Sequence, residues 1–331
     1  MASEQRLMVL DSASMYFRAF FGVPEVLAPD GTPVNAVRGF LDFISRLVGV
    51  YRPTHLVCAW DNDWRPQWRV DLVPSYKGHR VEAARPGATP DIEVVPDPLE
   101  IQIPVILEVL DAVGLCVVGA DGYEADDVIG TLAATAGMPV DVVTGDRDLF
   151  QVVDDARDVR VLYIAKGVGN HERVTDEVVV GKYRVLPSQY ADFATLRGDA
   201  SDGLPGVAGV GEKTAASLLL AFGDLEGIVA AAADPESAMS PGPRRKILDA
   251  ADYLLVAPKV VAVARDIDLT PYDATLPAER GKLLGPPRLQ MRREIPCTAQ
   301  GRPPRRIASA SEPRRCVIVT PAKFTLCRSF L

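Results

Sequence analysis

Apolar runs of four to six residues recur at 6–10, 55–60, 115–118, 140–143 and 159–164, each closed by turn or helix-starting residues. Runs of that length with little alternation suit strands buried on both faces, so five strands are expected. Between several of them the period lengthens. Across 34–50, Val37, Phe40, Leu41, Ile44, Leu47 and Val48 fall at three-and-four spacing, one face of a helix. A second helix is expected over 104–113, opened by Pro104 at a tolerated first-turn position. Strands alternating with helices predict an α/β fold, a mostly parallel central sheet with helices on both faces. From 187 to about 269 the pattern turns helical, with glycine-rich punctuation between Gly198 and Gly211, so a helical subdomain follows the sheet.

The chain has 331 residues, 48% hydrophobic and 24% charged, enough for one large or two modest cores. No stretch approaches the roughly 18 apolar residues of a membrane span. The start, MASEQRLMVLDSAS, has too short an apolar run and too early an Asp for a secretory signal, so a cytoplasmic monomer without a membrane partner is expected. Cys58, Cys116, Cys297, Cys316 and Cys327 form no CxxC pair and have no His at ligand spacing, which argues against zinc and disulfide frameworks.

The net charge of −8 is unevenly spread. Residues 282–331 hold 11 Lys plus Arg against 2 Asp plus Glu, which leaves −17 on residues 1–281. Such a core can engage phosphates only through a local basic patch or bound cations. The last 50 residues hold seven prolines, nine arginines and three of the five cysteines, and read as a disordered tail. An Arg to Lys ratio of 28 to 8 suggests a GC-rich gene, whose out-of-frame reading also yields Arg, Pro, Ala and Ser. The expectation is a frameshifted or otherwise unnatural tail, which resequencing without a frame change would overturn. The expected organisation is therefore a core over 1–185, a helical subdomain over 186–280 and the tail over 281–331.

The aspartates carry the chemistry. Expected strands end at Asp11, Asp61 and Asp146, with Asp148 two residues on. In a parallel sheet these ends share one edge, where open α/β folds bind ligands. One such Asp commonly only caps a helix, but three together are harder to dismiss. In GYEADDVIGTLAA, Glu124 and Asp127 share a helix face with Asp126 beside them. One or two acids would satisfy a helix start, whereas three repel unless cations neutralise them. RGDASDGLPG repeats the spacing at Asp199 and Asp202, where turn formation is an equally good reading. An oxygen-only cluster suits two or more Mg²⁺ or Mn²⁺ ions, and paired metals about 4 Å apart serve phosphoryl transfer. No GxxxxGK[ST] loop is present, which argues against nucleotide-triphosphate hydrolysis.

The segment WRPQWRVDLVPSYKGHR supplies the local basic patch, Arg65, Arg69, Lys77 and Arg80, interleaved with Trp64, Trp68 and Tyr76 as in surfaces that stack bases. Trp60, inside an apolar strand, reads as core. In LPGVAGVGEKTAASLLLAFG a tight hairpin from Gly206 to Gly211 opens a helix, with Gly209, Lys213 and Thr214 at its turn and start. Glycines admit a phosphate close to the backbone, and the helix start offers N–H groups and a positive dipole. The hairpin follows no strand, so a helix-hairpin-helix grip on duplex over 198–222 fits better than a dinucleotide site.

LDSASMYFRAF, YK with Arg80, GYEADD, TGDRDLFQ and LRGDASDGLPGVAGVGEKTA, in that order over about residues 7–222, resemble the bacterial 5′ nuclease or flap endonuclease family, which also forms the N-terminal domain of DNA polymerase I. The resemblance implies a PIN-like core, a helical arch around 64–100, and hydrolysis of DNA at 5′ flaps and at 5′ ends beside duplex. It also implies divalent metals at the acidic cluster, K⁺ at the hairpin, and replication or repair polymerase and ligase as partners. Asp11, Asp61, Glu124, Asp126 and Asp127 match the family's first metal group, and Asp146, Asp148, Asp199 and Asp202 the second. Lys77 and Arg80 match the basic pair that contacts the scissile phosphate, with Tyr76 the aromatic there. The tail matches nothing in the family, and no polymerase domain follows, so a stand-alone nuclease is expected. Two alternatives remain: a PIN-like ribonuclease, which has no use for the hairpin, and a DNA-structure-binding protein with an impaired site.

Overall fold

The five expected strands form in a computed structural model that describes residues 5–81, 93–277 and the backbone of 317–318. They are β1 (Leu7–Asp11), β2 (His55–Trp60), β3 (Cys116–Gly119), β4 (Val140–Thr144) and β5 (Val159–Tyr163). The sequence reading missed β6 (Glu172–Val174), a three-residue antiparallel edge strand. A two-residue strand, β7 (Val317–Ile318), runs parallel to β3. The order is β6-β5-β4-β1-β2-β3-β7, parallel except at β6. The chain thus builds outward from β1 in both directions.

Alternate residues of each strand feed opposite cores, because side chains alternate across a sheet. Leu7, Val9, Val57, Val118 and Val142 pack with α6 (Ala125–Thr135) and the helices beyond it. Met8, Leu10, Cys58, Val117 and Val143 pack with α1 (Ser12–Gly22), α2 (Asn35–Tyr51) and α5 (Gln102–Val113). Covering both faces explains why the strands read as unbroken apolar runs. Trp60 lies in the second core against Tyr16, with ring centroids 5.7 Å apart.

Between β2 and α5 the basic segment forms α3 (Gln67–Leu72), a short turn Gly78–Arg80 and α4 (Asp97–Glu100). The expected arch falls partly on residues 82–92, outside the described residues. The described residues on either side of that stretch are joined by a Val81–Glu93 bridge and by Val94 N donating to Arg80 O at 2.9 Å.

α7 (Asp176–Tyr183) ends the core, and the helical subdomain comprises α8 (Tyr190–Arg197), α9 (Glu212–Phe222), α10 (Leu225–Ala233), α11 (Pro241–Asp249) and α12 (Ala251–Val261). The chain then returns to the sheet, where Leu56 N donates to Ala274 O at 2.8 Å and Leu276 N to Thr54 O at 3.0 Å. Apart from β7, the tail lies outside the described residues.

Candidate active site

β1, β2 and β4 are neighbours, so Asp11, Asp61 and Asp146 at or just beyond their C-terminal ends share one edge of the sheet. A parallel sheet opens its crevice where the strand order reverses, here at β1. Asp11 is held twice, Oδ1 accepting from Ser14 N at 3.0 Å and Oδ2 from Thr144 Oγ1 at 2.7 Å. Thr144 Oγ1 also accepts from Asp146 N at 2.9 Å, tying the ends of β1 and β4 together. Asp61 Oδ1 accepts from Ala125 N at 2.8 Å, which draws the start of α6 to the end of β2.

A cleft of about 380 Å³ opens here, walled by Asp11, Asp61, Glu124, Asp126, Asp146 and Asp199 together with Lys77 and Arg80. Asp148 and Asp202 line an adjoining cavity of about 20 Å³, which also touches Glu124 and Asp126. Eight of the nine predicted carboxylates therefore meet around one site. The 199–202 turn reaches it because Lys77 N donates to Asp202 O at 2.8 Å and Arg80 Nη2 to Asp202 Oδ1 at 2.9 Å.

Crowding and burial shift these groups. Burial pushes Asp11 up to about 7, with Asp61 and Asp146 adding to the effect and Thr144 and Ser14 opposing it. Asp126 and Asp148 are pushed well above the usual carboxylate range, by burial and then by neighbouring carboxylates, and burial also raises Asp146. Asp199 moves the other way: burial opposes its charge, but hydrogen bonds from Ser201 and the charges of Arg197 and Arg147 outweigh it. Asp148 Oδ1 is buried without a hydrogen-bond partner, 3.6 Å from Arg197 Nη2. Hard oxygen donors, mutual repulsion and an orphaned carboxylate oxygen fit divalent cations. Among the described residues, no three carboxylates are arranged tightly enough to ligate one ion as they stand.

Three expectations are corrected. Asp127 does not reach the cleft. Its Oδ2 accepts from Arg69 Nη1 at 2.7 Å and from Glu124 N at 3.2 Å, and its Oδ1 accepts from Arg69 Nη2 at 2.8 Å and from Ala264 N at 2.9 Å. A carboxylate so fully engaged has no oxygen for a metal. Arg69, expected on DNA, is 3% exposed and stacks over Trp68. Tyr76, expected to stack on a base, is buried with its OH donating to Glu124 Oε1 at 2.7 Å.

Lys77 is buried and paired to Glu124, and its Nζ also donates to Trp64 O at 3.3 Å. Burial opposes its charge, but Glu124, then Tyr76 and Asp202, hold its pKa well above the usual value, so Lys77 stays a cation in the cleft. Arg80 is more open and donates to Ser201 O at 2.7 Å.

At the hairpin, Gly206 has a φ of +66°, and a Cβ there would lie 2.5 Å from Gly198 N, so the turn packs closely on the end of α8. Gly209, with φ +72°, is exposed and its carbonyl accepts from Lys246 Nζ at 2.8 Å. Gly211 caps α9 in open space, and Lys213 and Thr214 follow in its first turn. This end of α9 is therefore open to an anion.

Sequence reasoning missed Glu93, which joins the cleft wall and is raised by burial and by Asp61. No local motif marks it, since only the Val81–Glu93 bridge returns it to the site. Thr144, the last residue of β4 and directly before Gly145-Asp146, could have been suspected from its place.

Comparison with known proteins agrees with this geometry. Residues 6–184 match the family model described as 5′-3′ exonuclease, N-terminal resolvase-like domain, and residues 185–280 match 5′-3′ exonuclease, C-terminal SAM fold. A Streptomyces coelicolor protein named 5′-3′ exonuclease is 62% identical over 271 residues, 82% of this chain and 90% of the relative. One of the same name from Mycobacterium tuberculosis is 52% identical, over 80% of this chain and 85% of the relative. Among solved structures, the flap endonuclease of bacteriophage T5, in a pseudo-enzyme-product complex with DNA and metal ions, shares the fold. Its TM-score is 0.60 at 16% identity, covering 78% of this chain and 89% of that one. With both matched regions spanning the sheet, the acidic cleft and the hairpin helices, the chain belongs to the 5′-3′ exonuclease family.

Proposed function

We propose that this exonuclease works in the cytoplasm as a structure-specific nuclease, hydrolysing DNA at 5′ flaps and at 5′ ends beside duplex. The observation that carries the reading is the cleft itself, where strand-end Asp11, Asp61 and Asp146 and the helix-borne Asp126 share a wall with Lys77 and Arg80. Asp11, Asp61, Asp126, Asp146 and Asp199 are proposed to hold divalent ions in the cleft, with Asp148 and Asp202 on the adjoining side. Mg²⁺ or Mn²⁺ suits these oxygen donors. Bound ions supply Lewis acidity, which polarises a phosphodiester and makes water nucleophilic near neutral pH.

The chain's own groups set the rest. Lys77 stays protonated in the cleft, so a phosphate placed there competes with Glu124 for its ammonium. Arg80 is tied to the 199–202 turn and presents its remaining N–H groups to the same cleft. Both offer fixed positive charge where negative charge grows as the phosphodiester is attacked. Duplex is held away from the cleft by the start of α9, whose backbone N–H groups and Lys213 meet phosphate without reading bases. K⁺ at the hairpin is part of the proposal. Lys246 already brings one cation to the Gly209 carbonyl, so replacing K⁺ by a bulky organic cation should weaken duplex binding only in part.

The deciding experiment incubates the chain with a 5′-labelled flap DNA, a matched single strand and a matched RNA, in Mg²⁺ or Mn²⁺ and in chelator. Chelator-sensitive cutting near the flap junction is expected. Cleavage of RNA alone would favour a PIN-like ribonuclease, and junction binding without cutting would point to an impaired site.

A further inference from the structure

The segment leaving α12 runs behind the site, where Val260, Val261 and Val263 line the adjoining cavity and buried side chains of three other elements hold its backbone. Arg69 Nε donates to Val260 O at 3.1 Å, and Gln151 Nε2 to Val261 O at 3.2 Å. Gln151 Oε1 accepts from Val263 N at 3.0 Å, and Asp127 Oδ1 from Ala264 N at 2.9 Å. One helical turn beyond Asp127, Thr131 Oγ1 donates to Ala264 O at 3.3 Å and accepts from Ile267 N at 3.4 Å.

The three clamping side chains each have a second attachment on a carboxylate-bearing element. Arg69 reaches Glu124 Oε1 at 3.3 Å, Asp127 accepts from Glu124 N, and Gln151 Nε2 donates to Asp148 O at 2.9 Å. All three are buried, as is Thr131. The fit is also steric: a Cβ on Gly130 of α6 would lie 2.4 Å from Ala264 O. At its other end the segment continues α12, which packs against α8, and α8 leads into Asp199 and the hairpin. Several buried polar side chains bonded to one backbone strip fix its distance, because any shift leaves several groups unpaired at once.

We infer that residues 260–267 form a strap that registers the duplex-holding helices against the carboxylates, and that Gln151, Asp127 and Arg69 are positioning residues which clamp it. Duplex seated on the hairpin is thereby converted into correct placement of the α6 and Asp148 ligands. This rests on the function proposed above, and adds that the hairpin acts on rate as well as on affinity.

The test uses the full chain with Gln151→Met, which keeps volume and removes the amide, and with Thr131→Val, which loosens the strap without touching a ligand-bearing turn. Cleavage is compared on flaps with a long stem and with a stem too short to reach Gly209–Lys213, and duplex affinity is measured in Ca²⁺. The wild type is expected to gain kcat from the longer stem. Gln151→Met should lose at least tenfold of that gain and Thr131→Val about threefold, with duplex affinity within twofold of wild type. An unchanged gain, or equal loss on both stems, would overturn the strap. Should Gln151→Met fail to fold, Thr131→Val decides by the same criterion. A wild type that cuts flaps but gains no kcat from the longer stem would also overturn the strap, whereas one that cuts no flap would instead sink the function on which the strap rests.

Discussion

Asp126 and Asp127 are adjacent in sequence and opposite in fate. One lines the cleft, crowded by Asp11 and Asp146, while the other lies behind it in the grip of Arg69. Asp126→Asn should therefore abolish cleavage while leaving stability and duplex binding nearly intact, and Asp148→Asn should do the same, as single-turnover assays would show. Asp127→Asn should cost about 3 kcal/mol of stability, the usual penalty for breaking a buried ion pair. Its metal stoichiometry, read by calorimetry, should not change; loss of an ion would restore Asp127 to the ligand set. Lys77→Ala should slow the chemical step by about 100-fold, as for removal of a transition-state donor, and weaken binding far less. Equal losses would make Lys77 an anchor only. The identity of these acids was legible in sequence, because strand ends and a crowded helix start mark them. Their separation was not, since the partner that claims Asp127 lies 58 residues away.

Burial also sets a pH dependence for these residues. Asp11 rises from 3.8 to about 7, and Asp126, Asp146 and Asp148 rise with it. A raised folded pKa means that the folded state holds more protons than the unfolded chain between those values. The metal-free protein should then lose stability as pH climbs from about 4 to about 7. Saturating Mg²⁺ should flatten that slope, and melting curves in chelator against Mg²⁺ across the range would check it.

Among elements, the hairpin gives the sharpest contrast. Gly206→Ala puts a Cβ against the backbone of residues 197 and 198, whereas Gly211→Ala meets nothing within 4 Å at a φ of −99°. Gly206→Ala is expected to weaken duplex binding by tenfold or more and Gly211→Ala by less than twofold, in anisotropy titrations at one salt concentration. Equal effects would mean that the hairpin tolerates repacking. The glycines were visible as a motif, but which one serves packing was not, because the opposing Gly198 belongs to the previous helix end. The long elements were legible for a plain reason: 34–50 carries enough period to place α2 at Asn35–Tyr51. β6 was missed because three residues at an edge have too little burial to stand out in sequence.

At the scale of the molecule, a core carrying −17 meets a polyanion. Removing divalent ions should weaken flap-DNA binding more than binding of plain duplex, because the flap junction must approach the carboxylates and the hairpin does not. Fluorescence titrations with EDTA or Ca²⁺ would show it, and equal weakening would place the metal effect elsewhere.

Sequence alone determined the α/β order, the strand-end aspartates, the helical second half and the glycine hairpin that opens α9, because periodicity and glycine placement are local properties. Tertiary structure decided which carboxylates face the cleft, which basic and aromatic groups vanish into ion pairs, and that Glu93 joins the wall. It also produced the strap, since contacts between residues more than 100 positions apart leave no local trace and exist only once the sheet edge, α6 and the last helix are brought together.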